Sequence, residues 1–317
     1  MVVSAKAGRL GSRGGHGPVH LLPDAPHDMT PAQVRALLTA QMPDLAELGV
    51  KRVGSNGADH SLFRLGTGFV ARFPRLFHAE GQISTQARWL PRLSQDVALE
   101  VPLTLRFGLP GFGYPFRWTV LPWLPGHAAF TGPLDQTRAA GTLAGFLQQL
   151  QAHPTPEGAP QRGSADRLEE RFASLVASIG QFQGEADPRL LAQVAAGMRK
   201  LPRHEGPAVW VHGDLHPLNL LASRGRLSGV IDWGGLGVGD PAIDLMIAWT
   251  LFDAPAREIF RTAMDPDLDA WARGRAVAFG KAVAAIPQYR RTNPGYCTVM
   301  RITLQRILDD HASGGSA

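Results

Sequence analysis

The sequence predicts an α+β chain of two lobes, the first β-rich and the second mainly helical, and three observations predict it. The chain has 317 residues, more than one small core needs and fewer than three ordinary domains would take. Apolar residues alternate with a period of two through the first part of the chain. Beyond a stiff segment at 121–126 they recur at helical spacing instead.

Residues 1–20 are Gly-rich, carry Lys6, Arg9 and Arg13 against no acid, and lack the apolar stretch of a signal peptide. Residues 1–28 therefore read as a disordered extension. Thr30-Pro31-Ala32-Gln33 has the form of an N-cap, a proline at the first helical position and a reciprocal glutamine, so a helix is expected at about 31–42. Val50–Val53, Ser61–Leu65 and Phe69–Phe73 read as strands, with turns at Gly54–Asp59 and at Gly66 and Gly68. Ala79–Leu93 reads as a helix whose last turn Pro91 should disturb. Strands near Leu103–Phe107 and Arg117–Leu121 complete a first lobe over 29–120. Leu121-Pro122-Trp123-Leu124-Pro125-Gly126, stiffened by two prolines, is expected to connect it to a second lobe over 127–317. There Leu143, Phe146, Leu147 and Leu150 form one helical stripe, and Leu168, Phe172, Leu175, Val176 and Ile179 another. Leu190–Met198 and Trp271–Ile286 mark two further helices, with a strand–loop–strand region at Val209–Ile231 between them.

Composition narrows the function. A 44% hydrophobic and 19% charged chain can bury a core, which excludes global disorder. No apolar run is long enough to span a membrane, and the single cysteine, Cys297, cannot form an internal disulfide. The net charge of +5 sits mostly in the tail, and residues 126–317 carry as many acids as bases, so no basic stripe tracks a phosphate backbone. A soluble, cytoplasmic protein without nucleic-acid or membrane partners is expected.

One stretch carries chemistry. In Val209-Trp210-Val211-His212-Gly213-Asp214-Leu215-His216-Pro217-Leu218-Asn219-Leu220-Leu221 an apolar strand ends in a polar loop, and Gly229-Val230-Ile231-Asp232-Trp233-Gly234 then ends a second strand in an aspartate. Paired strands bring Asp214, Asn219 and Asp232 to one spot, and hard oxygen ligands of that kind suit Mg²⁺ beside phosphates. Gly239-Asp240-Pro241-Ala242-Ile243-Asp244 follows.

Those motifs resemble the aminoglycoside phosphotransferase family, protein-kinase-like small-molecule kinases that include macrolide and choline kinases. The resemblance implies a protein-kinase-like two-lobed fold with a nucleotide-binding first lobe, and a catalytic and substrate-binding second lobe. It implies that Asp214 is the base toward a substrate hydroxyl, and that Asn219 and Asp232 hold Mg²⁺ against the phosphates of ATP or GTP. It gives His212, His216 and Asp240 supporting roles. It places Arg72 on the third strand against the phosphates, and the loop with Ser55, Asn56 and Gly57 over them. Two departures stand out: Gln86 where the family carries a glutamate beside the strand cation, and Leu218 where it carries glycine. The connector would place backbone groups opposite the adenine edge.

Two other classes compete. A metal-dependent hydrolase would take His212, Asp214, His216, Asp232 and Asp240 as a metal cluster, but has no need of Asn219 at that spacing. A non-catalytic nucleotide-binding module would explain Gln86 and Leu218. For the acceptor, an aminoglycoside wants acids, offered by Glu169, Glu170, Asp253, Asp265, Asp267 and Asp269, whereas a macrolide wants an apolar wall, offered by Trp249, Phe252, Tyr289 and Tyr296. A sugar or amino alcohol stays open.

Overall fold

The structure, a computed structural model, describes residues 26–54, 59–162 and 168–313. The expected extension thus lies outside the described residues up to residue 25. Asp28, at its inner end, is ordered by ion pairs to Arg52 and Arg75, both at 3.0 Å.

The first lobe opens with α1 (Pro31–Gln41), where the Thr30 hydroxyl accepts from Gln33 N at 3.2 Å and Gln33 Oε1 accepts from Thr30 N at 3.1 Å. This reciprocal box satisfies two of the helix's orphan amides. After α2 (Pro43–Ala46) come β1 (Val50–Val53), β2 (His60–Leu65) and β3 (Phe69–Pro74), then α3 (Phe77–Leu93), β4 (Arg106–Gly108) and β5 (Trp118–Pro122). The strands form one antiparallel sheet in the order β1-β2-β3-β5-β4. Its core face buries Phe63, Phe73, Phe116 and Trp118, with Phe73 stacked on Trp118 at 4.8 Å. Two details differ from expectation. Helix α3 runs through Pro91 to Leu93, because burial of Trp89, Leu90 and Leu93 outweighs one lost amide near the helix end. Leu103 to Leu105 stays outside β4, leaving Leu105 exposed.

The second lobe contains β6 (His127–Ala128), α4 (Gln136–Ala152), α5 (Leu168–Ile179), α6 (Pro188–Met198), β7 (Val209–Val211), β8 (Leu220–Ser223), β9 (Arg226–Val230), β10 (Gly237–Gly239), α7 (Ala242–Leu245), α8 (Ile247–Thr250), α9 (Ala254–Met264), α10 (Leu268–Tyr289) and α11 (Pro294–Ala312). β8 and β9 form a hairpin with β6 at its side, and β7 pairs with β10. Phe146, Trp210, Trp233, Trp249, Phe252 and Phe279 fill one large core, and the end of α3 reaches into it with Trp89 at 5.3 Å from Trp210. No helix of the described residues is long and apolar enough to cross a membrane.

Candidate functional site

A cleft of about 910 Å³ runs between the sheet of the first lobe and the β7–β9 region of the second. Arg72, Gln86, Asp214, His216, Asn219 and Asp232 all line it. The strand ends put them there: Asp214 lies in the turn after β7, Asn219 immediately before β8 and Asp232 just after β9.

The 212–219 loop is held from beneath. Buried Asp244 accepts from His212 N at 2.7 Å and from Gly213 N at 2.9 Å. Burial drives the Asp244 carboxyl upward, and the two amides and His212 only partly oppose it. Gly213 has φ +81°, and a Cβ there would stand 2.2 Å from the Gly235 carbonyl oxygen, so the turn requires glycine. The His212 ring ties the loop to the residue following β9, with Nε2 at 3.0 Å from the Ile231 carbonyl and Nδ1 accepting from Asp214 N at 3.3 Å. Asn219 Nδ2 donates to the Asp214 carbonyl at 2.9 Å, which leaves its Oδ1 as the uncommitted amide atom. Leu218 fits the loop without displacing these bonds and packs at the edge of the large core.

The charge pattern is paired. Asp232, in the left-handed region at φ 59°, accepts from Arg72 at 3.0 Å. Arg72 also donates to Gln86 Oε1 at 2.7 Å and meets His60 Nδ1 at 3.2 Å. Gln86 thus takes the glutamate's place as an acceptor but brings no charge, and Asp232 supplies it. Burial alone would raise the Asp214 carboxyl, but the Lys281 ammonium bonded to it holds it well below the usual carboxylate range. Burial weighs against the Lys281 charge too, and Asp214 reverses that and raises it. Burial pulls the His216 imidazole down to about 4, so the ring is neutral near pH 7.

Lys281, on α10, is not singled out by the sequence reading. Its one signal is that it is the sole charge in the otherwise apolar stretch from Ala276 to Ile286. Asp240 lies off the cleft, ion-paired to buried Arg273 at 2.9 Å and accepting from Ala242 N at 2.9 Å. Ser55, Asn56 and Gly57 lie outside the described residues; Gly54, Asp59 and His60 beside them line the cleft.

Among the acceptor residues, Trp249 and Phe252 are in the core rather than on a wall, while Tyr289 and Tyr296 line the cleft. Asp253 and Asp267 cap α9 and α10, and Asp265 closes α9, which explains them without a ligand. Trp123 lines the cleft under Arg64, at 4.4 Å from the guanidinium, whereas Trp118 is core.

The donors fit a small hard cation: Asn219 Oδ1 and the Asp232 carboxylate, one of whose oxygens Arg72 leaves open, both face the cleft. Among the described residues no three His, Cys, Asp or Glu side chains converge as a metal cluster, so the multi-histidine arrangement of a hydrolase does not form there.

The model of the Phosphotransferase enzyme family matches residues 50–291. The chain belongs to this family. Over 139 residues it is 28% identical to an aminoglycoside 3'-phosphotransferase of Escherichia coli, covering 42% of this chain and 51% of that one. Over 172 residues it is 31% identical to a streptomycin 6-kinase of Streptomyces griseus, covering 52% and 54%. The chain spans about half the length of these curated relatives. In three dimensions it is similar to the GDP complex of wild-type aminoglycoside 2'-phosphotransferase-IIIa, with a TM-score of 0.67 at 19% identity over 90% of this chain and 100% of that one. The fold of this family member is accordingly the two-lobed, protein-kinase-like α+β fold that its motifs implied.

Proposed function

We propose that the chain is a Mg²⁺-dependent small-molecule kinase that transfers the γ-phosphoryl group of ATP or GTP to a hydroxyl of an aminoglycoside-like antibiotic or related small molecule, in the cytoplasm. The observation that carries this reading is the convergence of Arg72 from one lobe with Asp214, Asn219 and Asp232 from the other on a single cleft. Asp214, ionised and aimed into the cleft, orients the acceptor hydroxyl and takes its proton as the oxygen attacks phosphorus. The new P–O bond forms as the bond from Pγ to the β,γ-bridging oxygen breaks, and its electron pair leaves on the nucleoside diphosphate. Arg72 holds the phosphates in line. Asn219 and Asp232 would hold Mg²⁺, which when bound would supply charge neutralisation for the transfer.

A second reading of the acceptor is favoured by the wall facing Asp214. Its described side chains include Leu175, Val277, Tyr289 and Tyr296 with the cations Arg162 and Lys281, and the cleft's described carboxylates are Asp59, Asp214 and Asp232. Such a wall suits a macrolide or a hydroxylated metabolite better than a polycation. A resistance role follows if the acceptor is an antibiotic.

The test is release of nucleoside diphosphate from ATP or GTP, with and without Mg²⁺, across aminoglycosides, macrolides, sugars and amino alcohols. Mg²⁺-dependent release with one acceptor class, reduced about 10²–10⁴-fold by Asp214→Asn at little change in nucleotide affinity, is expected. Failure of wild-type protein to bind either nucleotide with Mg²⁺ would refute the kinase reading.

A further inference from the structure

Lys281 does work that the reading above leaves unassigned. Its ammonium is bonded to Asp214 Oδ1 and lines the cleft. It projects from a stretch of α10 whose neighbours Phe279, Ala282 and Val283 are fully buried in the large core. The pair itself is only half-buried, its side chains 31% and 36% exposed, and an ion pair so placed contributes little stability. A lysine in such a stretch therefore asks for a role at the cleft.

In-line transfer sets what that role is. The acceptor oxygen beside Asp214 and the leaving oxygen of the diphosphate lie on opposite sides of phosphorus, and charge spreads over the three equatorial oxygens between them. Those oxygens stand next to the Asp214 carboxylate and need donors. Arg72, already placed on the nucleotide phosphates from the other lobe, also meets Gln86, His60 and Asp232. Lys281 has three N–H donors, and Asp214 is the hydrogen-bond partner the structure shows for it.

We propose that Lys281 is a γ-phosphoryl-binding residue: while one N–H holds Asp214, another donates to an equatorial oxygen of the phosphoryl group being transferred. This rests on the kinase reading of the cleft. Lys281 stays protonated throughout; the hydroxyl proton goes to Asp214 and the leaving electron pair to the diphosphate. The residue comes from a helix 67 positions beyond the loop it serves. It thereby aims the carboxylate and neutralises the group moving past it. A nucleoside diphosphate, lacking that group, gains nothing from it.

The experiment is calorimetric titration of wild type, Lys281→Met, Lys281→Gln and Lys281→Arg with Mg²⁺ and either ADP and GDP or their non-hydrolysable β,γ-imido triphosphate analogues. The readout is the ratio of triphosphate-analogue to diphosphate affinity within each variant. Partial unfolding lowers the number of sites without changing that ratio, so a destabilised variant still reports. Lys281→Met and Lys281→Gln should lower the ratio about tenfold, the effect of one charge-assisted hydrogen bond, with diphosphate affinity within twofold of wild type and Lys281→Arg restoring most of the ratio. An unchanged ratio, or equal weakening of both ligands, would overturn the proposal while leaving the kinase reading intact. A wild-type protein that binds no nucleotide would overturn both.

Discussion

Replacing Asp244 by alanine removes both acceptors beneath the 212–219 loop at once. The amides of His212 and Gly213, at 2.7 Å and 2.9 Å from its two oxygens, are then left without partners in a site closed to solvent. A hydrogen bond to a charged group contributes about 1.5–3 kcal/mol, so the pair together accounts for about 3–6 kcal/mol. Removing the carboxylate also returns part of the cost of burying it, a cost visible in its raised pKa. The net loss should be about 2–4 kcal/mol, a large share of the ~5–15 kcal/mol that holds a typical protein folded. Asp244→Asn keeps one acceptor but turns an NH₂ toward the other amide, and should cost at least half as much. Urea unfolding followed by tryptophan fluorescence reads both variants, as a drop in midpoint with unchanged slope. A loss below about 1 kcal/mol for the alanine variant would refute the idea that these two bonds hold the loop.

Gly213→Ala forces a Cβ to 2.2 Å from the Gly235 carbonyl in a left-handed backbone, and should cost more than about 2 kcal/mol by the same unfolding assay. Arg273→Met leaves buried Asp240 without its counter-ion and should cost about 3–5 kcal/mol; adding Asp240→Asn should recover part of that, measured as a double-mutant cycle. His216, held at about 4 by burial, favours folding only as the neutral ring; that stability is complete above about pH 6.5 and drains as the pH falls toward 4, by up to about 3 kcal/mol. Melting temperatures of wild type and His216→Asn between pH 7.5 and 4.5 should show a shallower slope for the variant. Gln86→Glu gives Arg72 a carboxylate of its own and loosens its hold on Asp232, so the Mg²⁺ concentration for half-maximal nucleotide binding should fall severalfold; no change would show that Asp232 does not contest the metal with Arg72.

What the sequence could show was local. The box at Thr30–Gln33, strands β1, β2, β3 and β5 of the first sheet and the stripe of α4 are written in spacings of two to four residues, and they form, while β4 is displaced to Arg106–Gly108. The loop carrying Asp214 and Asn219 was legible because its residues lie within one turn of each other. What was hidden depends on partners far along the chain. Asp240 and Asp244 sit four residues apart and look alike, yet one meets Arg273 and the other two loop amides. Trp249 and Phe252 could be wall or core by spacing alone; Trp271 at 4.6 Å from Trp249 and Phe260 at 5.4 Å from Phe252 make them core. Lys281 is isolated in its own segment, and its meaning comes from Asp214, 67 residues away.

Helix α3 begins beside the sheet and ends inside the large core, where Trp89, Leu90 and Leu93 are seated among second-lobe side chains. It also rests on the turn after Asp232, so closely that a Cβ on Gly234 would reach within 2.7 Å of Gln82. A rod embedded at one end cannot slide or swing away as a unit; it acts as an axle. In any rocking of the two halves against each other, displacement would grow with distance from that embedded end. Gln86, about one helical turn from Trp89, would move least, and the outer strands β1 and β2 most. Any opening of the cleft about that end would leave the Arg72–Gln86–Asp232 contacts near the axle assembled.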